Sequence, residues 1–148
     1  MPTERYWTTA LCSGTALIVA GGFGDSSLSV VEVMNTETLQ WSTAADLLEP
    51  LSCASATVCG DRIYIVERRD RDMVPTKLVH SCSLGDLLQS CTSSKLSMSS
   101  MWKRVADLPV IDSTCVSLYG RLLAIGGEDS DNKSTTAIRM YNSTSDSL

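Results

Sequence analysis

The sequence predicts an all-β chain made of three similar four-stranded antiparallel sheets. Three observations predict it. Short apolar runs alternate with turn residues every few positions. Two of those runs, LIVAGG at 17–22 and LLAIGG at 122–127, end in the same glycine doublet. The order strand, glycine turn, more apolar strand, polar loop, strand recurs three times along the 148 residues. β-branched and small residues bounded by turn formers read as strands. Self-similarity along a chain is the signature of a repeat architecture.

The first unit opens with TTALCS (8–13), turns at Gly14-Thr15, and continues with ALIVA (16–20). Gly21-Gly22 closes that run. The polar loop FGDSSLS leads to VVEVMN (30–35), and a fourth strand is expected around Gln40-Trp41-Ser42. SATVCGDRIYIV (55–66) and TCVSLYGRLLAI (114–125) have the same rhythm, with Gly60 and Gly120 read as counterparts of Gly14. Their polar loops are ERRDRDMVPT and EDSDNKSTT, and their third strands KLVHSCSL (77–84) and TAIRMY (136–141). Trp41 lies seven residues beyond Met34, and Leu148 seven beyond Tyr141. The middle unit departs: Trp102 is twenty residues beyond Cys82, and a Ser-rich stretch, about 85–100, reads as a loop inserted between the third and fourth strands, with a brief helix over its Leu-Leu and Met residues as the less favoured alternative. The boundaries that follow are about 1–45 for the first repeat, 46–105 for the second and 106–148 for a truncated third.

This pattern resembles the kelch repeat, whose motif is an apolar strand ending in Gly-Gly, a further apolar or aromatic strand, and a Trp about twenty residues after the doublet. Gly21-Gly22 with Trp41 carry the resemblance, as do Gly126-Gly127 with Tyr141, and Trp102 as the close of the second repeat. Leu47, Pro50, Leu108 and Pro109 resemble the family's linker between blades, and Met1-Pro2-Thr3 with Arg5 the same linker at the start. Two departures stand out. Glu67-Arg68 replaces the doublet in the second repeat, and Leu148 takes the place of the third Trp. The resemblance implies a kelch-type β-propeller of about three four-stranded blades, an incomplete ring. Propeller blades stack because a single sheet cannot bury both faces alone. On this reading Gly21, Gly22, Gly126 and Gly127 are structural, supplying positive φ and close backbone approach. Trp41 and Trp102 are structural plates between blades. Because propellers close with four to eight blades, the chain is expected to be a fragment of a longer protein or to self-associate to complete a ring.

Composition narrows the function. The formal net charge is −5 with a pI near 4.7, and no basic cluster is present, which argues against nucleic acid and anionic membrane as partners. No apolar stretch is long enough to span a bilayer, and the N-terminus lacks an apolar signal-type core, so a cytoplasmic setting is expected. The six cysteines form no CxxC and His80 is the single histidine, so no zinc ligand set can be assembled and reduced thiols are expected. No metal or cofactor is implied.

Catalysis finds no support in the residues. One strand histidine without a supporting motif makes no nucleophile–base pair. The doublets lack the following helix and lysine of a phosphate loop. Asp25, Glu128, Asp129 and Asp131 lie in loops without the spacing of a calcium loop and read as solvated turns. The charged run ERRDRD (67–72) reads as an exposed loop tip at the rim where propellers bind partners, which makes Arg68, Arg69 and Arg71 the candidate partner-binding residues. The resemblance thus implies a non-enzymatic protein-interaction module, adaptor-like in kind. The alternatives are a structural paralogue without independent activity and an enzyme of the oxidase type that some similar propellers represent.

Overall fold

A computed structural model of the chain describes residues 1–66, 68, 72, 74–92 and 101–141. The first sheet pairs β1 (Thr9–Ser13), β2 (Ala16–Ala20), β3 (Val31–Asn35) and β4 (Trp41–Thr43) in sequence order, antiparallel throughout. The second pairs β5 (Ser55–Cys59), β6 (Arg62–Val66), β7 (Leu78–Ser83) and β8 (Lys103–Asp107) in the same way. The third holds β9 (Thr114–Leu118), β10 (Arg121–Ile125) and β11 (Ile138–Met140). Its expected fourth strand, near Leu148, falls outside the described residues, so the third sheet has three described strands where four were expected.

The first two strands of each sheet form a hairpin with a two-residue turn. Ser13 pairs with Ala16, Cys59 with Arg62 and Leu118 with Arg121. Gly14 and Gly60 take the first turn position with φ of 56° and 64°. In the third hairpin that position belongs to Tyr119 (φ 50°), with Gly120 (φ 71°) second. The expected match of Gly120 to Gly14 and Gly60 is therefore corrected by one residue. The first two hairpins have positive φ at the first turn position alone, the pattern that takes glycine there, whereas in the third both turn residues are positive, and glycine serves at the second. Counting from the turns, Ile18, Tyr64 and Leu123 are equivalent, and Gly126-Gly127 falls on Gly21-Gly22.

The sheets stack face to face through two apolar seams, with β1, β5 and β9 side by side. One face of the first sheet buries Ile18, Ala20, Val31 and Val33 against Ile63, Ile65 and Cys82 of the second. The other face of the second buries Tyr64, Val66 and Val79 against Cys115, Leu122 and Ala124 of the third. The period-2 alternation of a strand explains the division, since neighbours on β6 point to opposite seams. Polar bonds join the second seam: the Cys115 and Ser117 amides donate to the Ser55 and Thr57 hydroxyls at 3.0 and 3.2 Å.

The Ser-rich insertion corrects a second expectation. It begins not as a loop but as a short helix, α1 (Leu84–Ser90). Ser83 caps it, its hydroxyl accepting from the Asp86 amide at 3.3 Å. Leu84, Leu87 and Leu88 share one helical face, and all three pack into the first seam. Ser90 ties the helix across that seam, accepting from the Ala45 amide at 2.9 Å and donating to the Leu87 carbonyl. Residues 93–100 of the insertion lie outside the described set.

Candidate protein-interaction surface

The loops after β2 and β10, and the described residues of the loop after β6, share one rim with the linkers that enter each sheet, and the hairpin turns occupy the opposite rim. The linkers repeat a backbone device. Trp7, Cys53 and Asp112 are equivalent and adopt φ of 52°, 54° and 55°. Left-handed backbone is uncommon for such residues and marks a constrained bend. The Cys53 amide donates to the Trp7 carbonyl at 2.9 Å, so consecutive linkers touch.

The doublet holds the linkers against the sheet. Gly21 (φ 60°) sits so close to Leu51 that an added Cβ would lie 2.6 Å from the Leu51 carbonyl oxygen. At Gly22 (φ 106°) a Cβ would lie 2.9 Å from the Tyr6 carbonyl. Only glycine meets both requirements, positive φ and backbone approach. Gly127 (φ 102°) is equally confined, against the Ile111 carbonyl. Gly126 (φ 68°) differs, its nearest neighbour being the Thr135 carbonyl at 3.7 Å.

On the rim of the first sheet this anchoring assembles an aromatic trio. Tyr6 and Phe23 exchange backbone hydrogen bonds of 2.9 and 2.7 Å. Their rings lie 5.5 Å apart, and Trp7 stands 4.8 Å from Tyr6 and 6.1 Å from Phe23. Tyr6 and Trp7 nevertheless remain 51% and 53% exposed. The rings support one another rather than the core, which presents a preformed apolar surface to solvent. Sequence reasoning missed this cluster. The one available signal was the aromatic pair Tyr6-Trp7 beside a loop that begins Phe23.

Of the three arginines expected at this rim, Arg68 is described, and Arg69 and Arg71 lie outside the described residues. The Arg68 guanidinium meets the Asp112 carboxylate at 3.3 Å, both side chains partly exposed. Such a pair contributes about 1 kcal/mol or less, so Arg68 can exchange partners at small cost. On the third sheet, Asp129 accepts from the Asp131 and Lys133 amides at 2.9 and 3.0 Å, a carboxylate organising its own turn.

The two tryptophans part company. Trp102 is buried in the first seam, its indole N–H donating to the Ala45 carbonyl at 3.4 Å. Trp41 pairs across strands with Met34 on the outer face of the first sheet and is only half-buried. The reason is positional. Trp102 faces the first sheet, and the described chain places no sheet where Trp41 faces. His80 is buried within β7. All six cysteines are free thiols. Burial pushes the thiols of Cys82, Cys91 and Cys115 up from their ordinary value, the opposite of what activates a nucleophile. Among the described residues no group of three or more His, Cys, Asp or Glu is placed to hold a metal ion, and no helix is long and apolar enough to cross a membrane.

A comparison with curated proteins returns no match. Residues 5–48, from the Arg5 linker through the first four-stranded sheet, match the family model described as Kelch motif. The two later units repeat that sheet's strand order, with its hairpin in both and its glycine doublet in the third. Residues 5–48 therefore form a kelch repeat, and the three antiparallel sheets are consistent with a partial kelch propeller.

Proposed function

We propose that this kelch-repeat chain is a non-enzymatic, cytoplasmic module that binds a protein partner through the rim carrying Tyr6, Trp7, Phe23 and Arg68. The observation that carries the proposal is the aromatic trio, three rings packed on one another with Tyr6 and Trp7 left more than half exposed. Trp, Tyr and Arg are the residues most enriched at interface hot spots. Rings already held by neighbours lose little conformational freedom on docking, which lowers the cost of binding. Arg68, paired with Asp112, belongs to the charged run ERRDRD, in which three arginines alternate with three acids. The partner's docking surface is thus apolar where it meets the trio. Free thiols in all six cysteine positions suit a reducing compartment.

Affinity capture from lysate, with and without rim substitutions, tests the proposal. Trp7→Asn with Tyr6→Ser removes the exposed rings while keeping a residue type that tolerates left-handed backbone. Arg68, Arg69 and Arg71 changed together to Ala remove the charge. Both variants keep the circular dichroism of the parent and lose the captured partner. Undiminished capture by both variants overturns the assignment of this rim.

A further inference from the structure

The outer faces of the first and third sheets are the two halves of a seam the chain already makes twice. On the third sheet, Leu123, Ile125, Ile138 and Met140 hold the places that Ile18, Ala20, Val31 and Val33 hold on the first. In the first sheet those places are buried under the second. In the third, Ile138 and Met140 are 65% and 50% exposed, against 0% and 7% for Val31 and Val33. Val116 and Leu118 of β9 continue the same exposed face. An apolar sheet face of this size left to water marks an interaction surface.

The opposite end carries the matching half. Cys12, Leu17, Met34 and Trp41 form one row across the four strands of the first sheet. Their equivalents in the second sheet, Val58, Ile63, Cys82 and Trp102, all pack into the seam with the first. A vacant slot agrees with this pairing. Gly21 is clamped by Leu51 of the linker that follows, whereas Gly126, its equivalent, has space beside it. By the same count Leu51 corresponds to Arg5, which lies at the outer edge of the first sheet.

We infer that two copies of this chain associate head to tail, the outer face of the third sheet of each covering the outer face of the first sheet of the other. Arg5 of one copy then lies beside Gly126 of its partner. Two such contacts close a ring of six sheets, within the range at which propellers close. A contact between unlike faces either closes in this way or propagates as a filament. The contact is made by sheet faces and the rim proposal by Tyr6, Trp7, Phe23 and Arg68, so different variants test the two.

Light scattering on the eluting protein, at micromolar concentration, tests the inference. The parent chain runs as a folded dimer of twice the 16.0 kDa chain mass. Ile138→Asp on the third sheet and Met34→Asp on the first each halve that mass while strand dichroism is retained. Mixing the two variants restores association, because each keeps the face the other has lost. Met140→Lys repeats the first arm if Ile138→Asp unfolds the sheet. A folded parent monomer overturns the inference. So does a dimer insensitive to Met34→Asp, which would mean pairing of like faces. Open-ended polymers overturn the closed ring.

Discussion

The guanidinium of Arg5 meets the carboxylate of Glu32 at 2.8 Å with both side chains almost fully withdrawn from solvent. Arg5 also donates to the Gly21 and Val30 carbonyls at 2.9 Å, and Thr3 donates to the second carboxylate oxygen at 2.8 Å. The pair fastens the N-terminal linker to β3. Removing one partner of a buried pair strands the other charge, which costs about 3–5 kcal/mol. Arg5→Ala is therefore expected to lower stability by that amount in urea unfolding. The equivalent linker positions hold Leu51 and Val110, both buried. Arg5→Leu combined with Glu32→Val is thus expected to recover a large part of the loss. Equal midpoints for Arg5→Ala and the parent would show that the pair contributes little.

The two doublets separate conformation from contact. Gly21→Ala meets both penalties, a positive φ and a carbonyl at 2.6 Å. Gly126→Ala meets the φ penalty alone, its nearest neighbour standing at ordinary contact distance. Left-handed backbone costs a side chain roughly 1–2 kcal/mol. Gly126→Ala should lose about that much, and Gly21→Ala clearly more. Thermal melts of the two variants compare them directly, and an equal loss would remove the argument from close approach.

The buried thiols make stability fall in alkali. Burial pushes the Cys82 thiol up from 9.0 to about 11, Asp86 adding to the rise and Arg62 opposing it. Below pH 9 the thiol is protonated folded and unfolded, and its contribution is intact. Between pH 9 and 11 the unfolded chain releases the proton while the folded one holds it. Each pH unit climbed in that window then weakens folding by at most about 1.4 kcal/mol. Cys91 and Cys115 act in the same direction. Urea midpoints should drop across this window, and Cys82→Ala should flatten the slope in part. A midpoint independent of pH from 8 to 11 would contradict it.

Much of the fold was legible because strands announce themselves locally. The run ALIVA closed by Gly21-Gly22, the hairpin glycines and the recurring polar loops each follow from backbone preference over a few residues. The helix α1 was legible only in part: Ser83, Leu84, Leu87 and Leu88 spell a cap and an apolar face, but seven residues are too few to form a helix without the seam that Leu87 enters. The offset of Gly120 was invisible because either centre of a tight hairpin turn accepts glycine.

What the amino-acid order determined by itself is the repeated strand order and the glycine hinges, which depend on neighbours in the chain, and the net negative charge, which depends on composition alone. Tertiary structure alone decided which tryptophan is buried, that Arg5 pairs with Glu32, and that Tyr6, Trp7 and Phe23 meet. Those outcomes depend on which sheet lies beside which and on contacts between residues distant in sequence. Trp41 and Trp102 share a motif position, yet Trp102 has a sheet to lie against and Trp41 has solvent.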